Sequence, residues 1–203
     1  MNPIRATTRR SVAALGLAVS IAAVGVASGQ ASPLSPAGLT SELLRASQVP
    51  SGWSVGDDGG FDGIGCLRAP LSPAGVHEDY RAQVLYVGSG DLPAFVEMAG
   101  TYSDAGVAFQ RITARVDACH RLTGETPGGV EITGRVAEAS LPRVGKASAS
   151  YTATINVLGL IVRSDYVIVR KGNVIAAILE GNSPAVSTRQ FDALVAKAVA
   201  RLS

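Results

Sequence analysis

The sequence predicts an α+β fold: an antiparallel β-sheet flanked by helices as a two-layer domain, with a single disulfide. Three observations carry this. Four segments of the C-terminal half alternate with a period of two, helical spacing appears before, between and after the strands, and two cysteines follow what reads as an export leader. Helices gathered on one face of the sheet would satisfy the pattern.

The elements are justified in chain order. Leu39, Leu43 and Leu44 share helical spacing, so a short first helix is predicted over Leu39 to Ala46, after a Ser32-Pro33-Leu34-Ser35-Pro36 linker. Val49-Pro50-Ser51-Gly52-Trp53 breaks it, because Pro50 biases Val49 away from helix and Gly52 permits a tight turn. Asp57 to Gly65 reads as a loop entering Cys66, Ala82 to Val87 as a strand, and Ser89-Gly90-Asp91 as a turn. Phe95, Met98, Tyr102, Ala105, Phe109, Ile112, Val116 and Cys119 could suggest one long helix. Gly100-Thr101-Tyr102 is poor helix material, however, and Ser103-Asp104 makes a good N-terminal cap. The prediction is therefore a strand over Pro93 to Tyr102 and a helix over Asp104 to Arg121, burying Phe109, Ile112, Val116 and Cys119.

Strands follow over Val130 to Ala137, Ala147 to Val157, Leu160 to Arg170 and Val174 to Glu180. Gly172-Asn173 joins the last two as a hairpin turn. Ser187 and Gln190 form a capping-box pair ahead of Phe191, Leu194, Ala198 and Leu202, which lie on one face of a closing helix.

The N-terminus sets the expected compartment. Arg5, Arg9 and Arg10 precede a run of small and apolar residues from Val12 to Val26, and Ala27-Ser28-Gly29-Gln30-Ala31 supplies small residues for a cleavage site after Ala31. Residues 1–31 are thus read as a signal peptide, 32–38 as a linker and 39–203 as the domain. Thr8-Arg9-Arg10-Ser11 resembles a twin-arginine signal, but the general secretory route is preferred because it allows the disulfide to form after export. The first cysteine is Cys66, so no lipidation cysteine stands at the cleavage point. The expected location is extracellular or cell envelope, without a lipid and with no membrane span after cleavage.

The leader carries three of the 18 Lys and Arg residues and no acid, which leaves 15 against 16 Asp and Glu in the remaining 172 residues of 203. Such a balance gives no electrostatic case for nucleic acid or an anionic membrane. Two cysteines in an exported chain have only each other, so Cys66 and Cys119 are expected to pair. A Cys119-His120 nucleophile pair is disfavoured, because adjacent residues rarely face each other.

No catalytic set assembles from the remaining motifs. Gly88-Ser89-Gly90 lacks nucleophile-elbow spacing. Asp58, Asp62 and Gly63 match places in a calcium loop whose third and twelfth places hold Gly60 and Ala69, which have no oxygen ligand to offer. His77-Glu78-Asp79 with His120 offers too few histidines for zinc and reads as a surface turn. Trp53 reads as a core anchor rather than a stacking platform. Arg143, Lys146, Arg163, Arg170 and Lys171 could converge on an anion, though a solvated hairpin end is the simpler account. No metal, cofactor or catalytic residue is therefore predicted.

Leu43-Leu44 before Val49-Pro50-Ser51-Gly52-Trp53, Tyr102-Ser103-Asp104-Ala105 leading a helix to Ala118-Cys119, and the Val167 to Gly181 hairpin before a closing helix together resemble the PknH-like extracellular sensor domains of actinobacteria. That family includes outer domains of transmembrane kinases, secreted proteins and lipoproteins. The resemblance implies an antiparallel sheet with flanking helices around a cleft, a disulfide at the second helix, and ligand sensing without catalysis. This chain departs from it in having no kinase domain and one possible disulfide instead of two. The expected function is a monomeric, non-catalytic module for an unidentified small-molecule or envelope ligand, with the cleft formed by the sheet and the second helix. An envelope protein-interaction module is the alternative, through a sheet edge or the hairpin, and an enzyme comes third.

Overall fold

The computed structural model describes residues 34–57, 63–72, 74–88, 94–125, 129–141, 144–145, 147–182 and 188–203. Eight antiparallel strands form one sheet: β1 (Ser54–Val55), β2 (Tyr80–Val87), β3 (Ala94–Thr101), β4 (Leu122–Glu125), β5 (Glu131–Glu138), β6 (Ala147–Val157), β7 (Leu160–Lys171) and β8 (Val174–Asn182). Their order across the sheet is β1-β2-β3-β8-β7-β6-β5-β4, so the last strand in sequence is a central one. It pairs Ala94 through Thr101 of β3 with Gly181 through Val174, and Arg163 through Lys171 of β7 with Asn182 through Val174.

Helices cover both faces, a correction to the one-face expectation. On one face α1 (Pro36–Glu42) and α3 (Thr188–Arg201) bury Leu39, Phe191, Leu194 and Ala198 against Phe95, Val167, Val169, Val174, Ala176 and Ile178. On the other, α2 (Ala105–Asp117) buries Ala108, Ile112 and Val116 against Met98, Tyr166, Ile168, Ile175 and Ala177. The physical reason lies in β7 and β8. Val167-Ile168-Val169 and Val174 through Ile178 are apolar without alternation, as strands buried on both sides must be.

Several boundaries move. The first helix begins at Pro36 because Ser35 accepts the Gly38 N–H at 3.1 Å and Pro fits the first turn, and it ends at Glu42 rather than Ala46. The second helix starts as expected, with Asp104 accepting from the Val107 N–H at 3.0 Å. It stops at Asp117, four residues short of Arg121, and the chain turns into β4, an edge strand absent from the sequence reading. Cys119 is buried, but past the helix end, and Phe109 sits at the margin of the core. The Gly172-Asn173 turn is present, with Gly172 at φ +58° and Lys171 paired with Val174. Ser89, Gly90, Asp91 and Ser187 lie outside the described residues.

Two sets of tethers hold the irregular segments. The chain leaving α1 is clamped by the Arg201 guanidinium, which donates to the carbonyls of Ser41, Glu42 and Leu43. Tyr86 adds a hydroxyl donation to the Leu44 carbonyl at 2.9 Å, and Glu97 accepts the Leu44 N–H at 2.8 Å. Around Gly63–Gly75, Arg111 donates to the Gly75 carbonyl at 2.8 Å and Arg115 to the Arg68 carbonyl at 2.7 Å, while Tyr102 donates to Leu71. Cys66 and Cys119 are bonded, with Cα atoms 5.8 Å apart, and attach this segment to the end of α2.

That bond closes a separation of 53 residues, which the chain-entropy model values at about 4 kcal/mol. Cys66→Ser with Cys119→Ser is expected to lower stability by about 2–4 kcal/mol and to speed hydrogen exchange first around residues 63–72. Free-thiol counting on denatured, unreduced protein checks the bond itself, and two reactive thiols would rule it out.

Glu97 generates a pH prediction. It is fully buried, one of its oxygens has no partner among the described residues, and burial raises its carboxyl from an ordinary 4.5 to about 7. The folded-state value lies above the unfolded one, so this contribution to stability is complete below about 4.5 and is lost as pH rises to about 7. Glu180, 2% exposed and beside Asp165, is raised to about 7 by burial first and by that neighbour second, and acts in the same window. Glu97→Gln keeps an acceptor for Leu44 while removing the ionisation. Its melting temperature relative to the native protein is expected to rise between pH 5 and pH 8 by roughly 5 °C. A constant difference across that range would contradict the assignment.

Candidate functional site

One helical stripe and two strand ends form a cleft. Phe109, Thr113 and Asp117 recur every four residues on α2, so they share one face of the helix beside the buried row. Opposite them β5 ends at Glu138, registered against Tyr151, while β6 begins earlier, at Ala147, so the first residues of β6 run past the end of β5. Glu138 through Leu141 and Ser148 through Tyr151 line the cleft, whose volume is about 580 Å³.

The chemistry of the lining is hydroxyl-rich and acidic. Thr113, Ser140, Ser148, Ser150 and Tyr151 bring hydroxyls, Asp117 and Glu138 bring carboxyls, and no cationic residue is among the described residues lining it. Tyr151 donates to Asp117 Oδ1 at 2.8 Å, which fixes both side chains. Burial, then the Asp117 hydrogen bond and charge, then Glu138, push the Tyr151 phenol up, so it remains a donor. Thr113 donates to the Phe109 carbonyl at 3.0 Å within its own helix. Such a surface offers directional acceptors to hydroxyl or amino groups.

The residues singled out from sequence are dispersed. Arg163 lies 3.4 Å from buried Asp165, Arg170 approaches Gly106, and Lys171 donates to the Leu202 carbonyl. Arg163 and Lys171 are eight residues apart on β7, about 26 Å, so Arg163 does not converge with Arg170 and Lys171, and Arg143 and Lys146 lie outside the described residues. His77 is exposed with Asp79 at 3.3 Å, and Glu78 pairs with Arg81 at 2.7 Å and accepts from Ser72. Asp58 and Asp62 lie outside the described residues. Gly63 has φ +76°, where a Cβ would meet the Leu67 carbonyl at 2.2 Å, so its glycine serves the turn. Trp53 packs against the α1 side of the core. Among the described residues no cluster of three metal-ligating side chains occurs, and no helix is long and apolar enough to cross a membrane.

Sequence reasoning anticipated a cleft between sheet and second helix but named none of its polar residues. Thr113 and Asp117 could have been found from their stripe with Phe109. Tyr151 and Glu138 could not, because their meeting with α2 depends on strand register.

No family model and no curated protein matches the sequence. Among solved structures, the extracellular domain of PknH from Mycobacterium tuberculosis superposes with a TM-score of 0.63 at 12% identity, covering 84% of this chain and 99% of that one. An uncharacterised protein from Mycobacterium smegmatis matches with a TM-score of 0.41 at 19% identity, over 75% and 77% of the two chains. At such identity the likeness is one of architecture: this chain has a fold similar to that of the extracellular domain of PknH.

Proposed function

We propose that this chain is an exported, non-catalytic module that binds a ligand in the cleft between α2 and the β5–β6 end of the sheet. The cleft itself carries the reading: about 580 Å³ falls within the range of small-molecule sites, and its polar groups converge from three separate segments. Asp117 and Glu138 face it, and among the described residues no cation lines it, which favours a neutral, hydroxyl-rich or a cationic ligand. A non-catalytic role suits the Tyr151–Asp117 pair, in which a raised phenol is held as a donor by a carboxylate already engaged with it. The kinship of fold with an extracellular domain and the Cys66–Cys119 bond support a place outside the cytoplasm, as does the leader pattern of residues 1–31.

Two measurements test this. Protein recovered from the medium or envelope of its host is expected to begin near Ser32, and N-terminal sequencing that finds Met1 in that pool would overturn the cleavage. Native mass spectrometry of the same material is expected to show a retained small molecule that Thr113→Trp expels while the melting temperature holds. If native and variant proteins carry identical masses, the cleft is not the site.

A further inference from the structure

Residues 34–49, which hold α1 and the short 3-10 turn after it, form a strap laid over β2 and β3. Leu39, Leu43 and Leu44 seat it in the same core as Ala82, Tyr86, Phe95 and Ala99. Among the described residues no backbone-to-backbone hydrogen bond joins the strap to the rest of the domain. Its polar attachments run through side chains. Arg201 donates to the carbonyls of Ser41, Glu42 and Leu43, Lys197 donates to that of Gln48 at 3.0 Å, and the Ser203 hydroxyl and N–H donate to the Glu42 carboxylate. The strap can therefore come away without opening a rung of the sheet. Residues 50–52, between it and β1, are built as a hinge: Ser51 and Gly52 are exposed, and Gly52 has φ +88° with open space where a Cβ would stand.

The strap's deepest fastening is the Leu44 peptide group, gripped from both sides. Glu97 Oε2 on β3 accepts its N–H at 2.8 Å, and the Tyr86 hydroxyl on β2 donates to its carbonyl at 2.9 Å. Glu97 is fully buried, and its Oε1 has no partner among the described residues. A neutral carboxyl here leaves one hydroxyl unpaired, whereas an ionised one leaves a charge with a single hydrogen bond in an apolar core, a far larger cost.

The groups around Glu97 do little to offset that cost while the strap is seated. On β2, burial and then Glu97 itself push the Tyr86 phenol up, so it stays a donor. On β8, Ile178 stands opposite Glu97, and Glu180 lies two residues further on, opposite Phe95. Arg201 and Lys197 of α3 are occupied with strap carbonyls, Glu42 of the strap is bound to Ser203, and Arg45 is exposed. Arg201 favours the ionised carboxylate, but burial outweighs it.

We propose that Glu97 is a pH-operated latch: its neutral carboxyl keeps the strap seated, and its ionisation lets residues 34–49 lift about the hinge and uncover Tyr86, Phe95 and Ala99 while the sheet stays intact. Lifting relieves the buried charge, because water then reaches Glu97, and Arg201, freed from the departing carbonyls, is the cation at hand to pair with it. The seated state binds the extra proton. Retention of the strap is thus complete below about 4.5, declines as pH rises to about 7 and levels off beyond. The latch operates whether or not the cleft has a ligand.

Hydrogen exchange of the native chain between pH 5.5 and pH 8 tests the latch, read as protection of residues 39–49 relative to the amides of β8. That ratio is expected to fall roughly tenfold up to about pH 7 and then to flatten. Trp53, the single tryptophan, adjoins the hinge and packs against the same core, so its emission is expected to shift to the red over the same range. Glu97→Gln is expected to hold the ratio constant, and Tyr86→Phe to lower it at every pH without changing the slope. Protection falling in parallel in strap and β8 would overturn the latch, for Glu97 would then act on the whole domain at once. A ratio in the native chain that ignores pH, or a Glu97→Gln variant that keeps the native slope, would overturn it too.

Discussion

The structure depends on β8 taking its place between β3 and β7. Before it does, β1 through β3 and β4 through β7 are two separate sheets, each with an open edge. The strand contributes Val174, Ala176 and Ile178 to one core and Ile175 and Ala177 to the other, so a single nine-residue element completes both layers. Its pairing with β7 is local, through a two-residue turn. Its pairing with β3 joins segments more than seventy residues apart, the kind of contact whose loop entropy must be overcome before it contributes stability.

This balance of local and distant contacts explains what was legible in the sequence. The strands β5 to β8 announced themselves by alternation and turn residues, and β6 matched its expected limits. The N-cap at Asp104 separated β3 from α2 against a misleading apolar period. The burial of β7 and β8 on both faces was also present, in their unbroken apolar runs, but was read as ordinary strand character, which hid the second helical layer. Strand β4 was beyond reach because Leu122-Thr123-Gly124-Glu125 has one apolar residue and exists through pairing with β5. Glu97 stands alone among apolar neighbours in β3, and nothing local says that its partner is a backbone N–H of the first helix region, 53 residues away.

The described surface divides its charge by location. Acids and hydroxyls gather where α2 overhangs the start of β6, whereas near the other end of the same strand Arg121 and Arg135 share the sheet with Glu125 and Glu131. A near-neutral total therefore conceals one acidic region and one in which both signs are mixed. Composition alone could not separate them, because residues of both kinds occur along β5: Glu131 and Arg135 project to one face and Glu138 marks the rim of the other. Strand register, more than residue count, determines which chemistry each region presents.

The bond between Cys66 and Cys119 has a mechanical consequence as well as a thermodynamic one. It encloses β2, β3 and α2 in a covalent ring, while both chain ends lie outside that ring. A pull applied between the ends would be carried across the sulfurs, and the ring would bear no load along its contour. The oxidised chain should consequently extend by about 180 Å less than the reduced chain under force, the stretched length of the 53-residue separation. Within the ring, β3 would lose its neighbour β8 yet keep β2, so the first fragment to survive stretching is the β2–β3 hairpin with the helix that follows it.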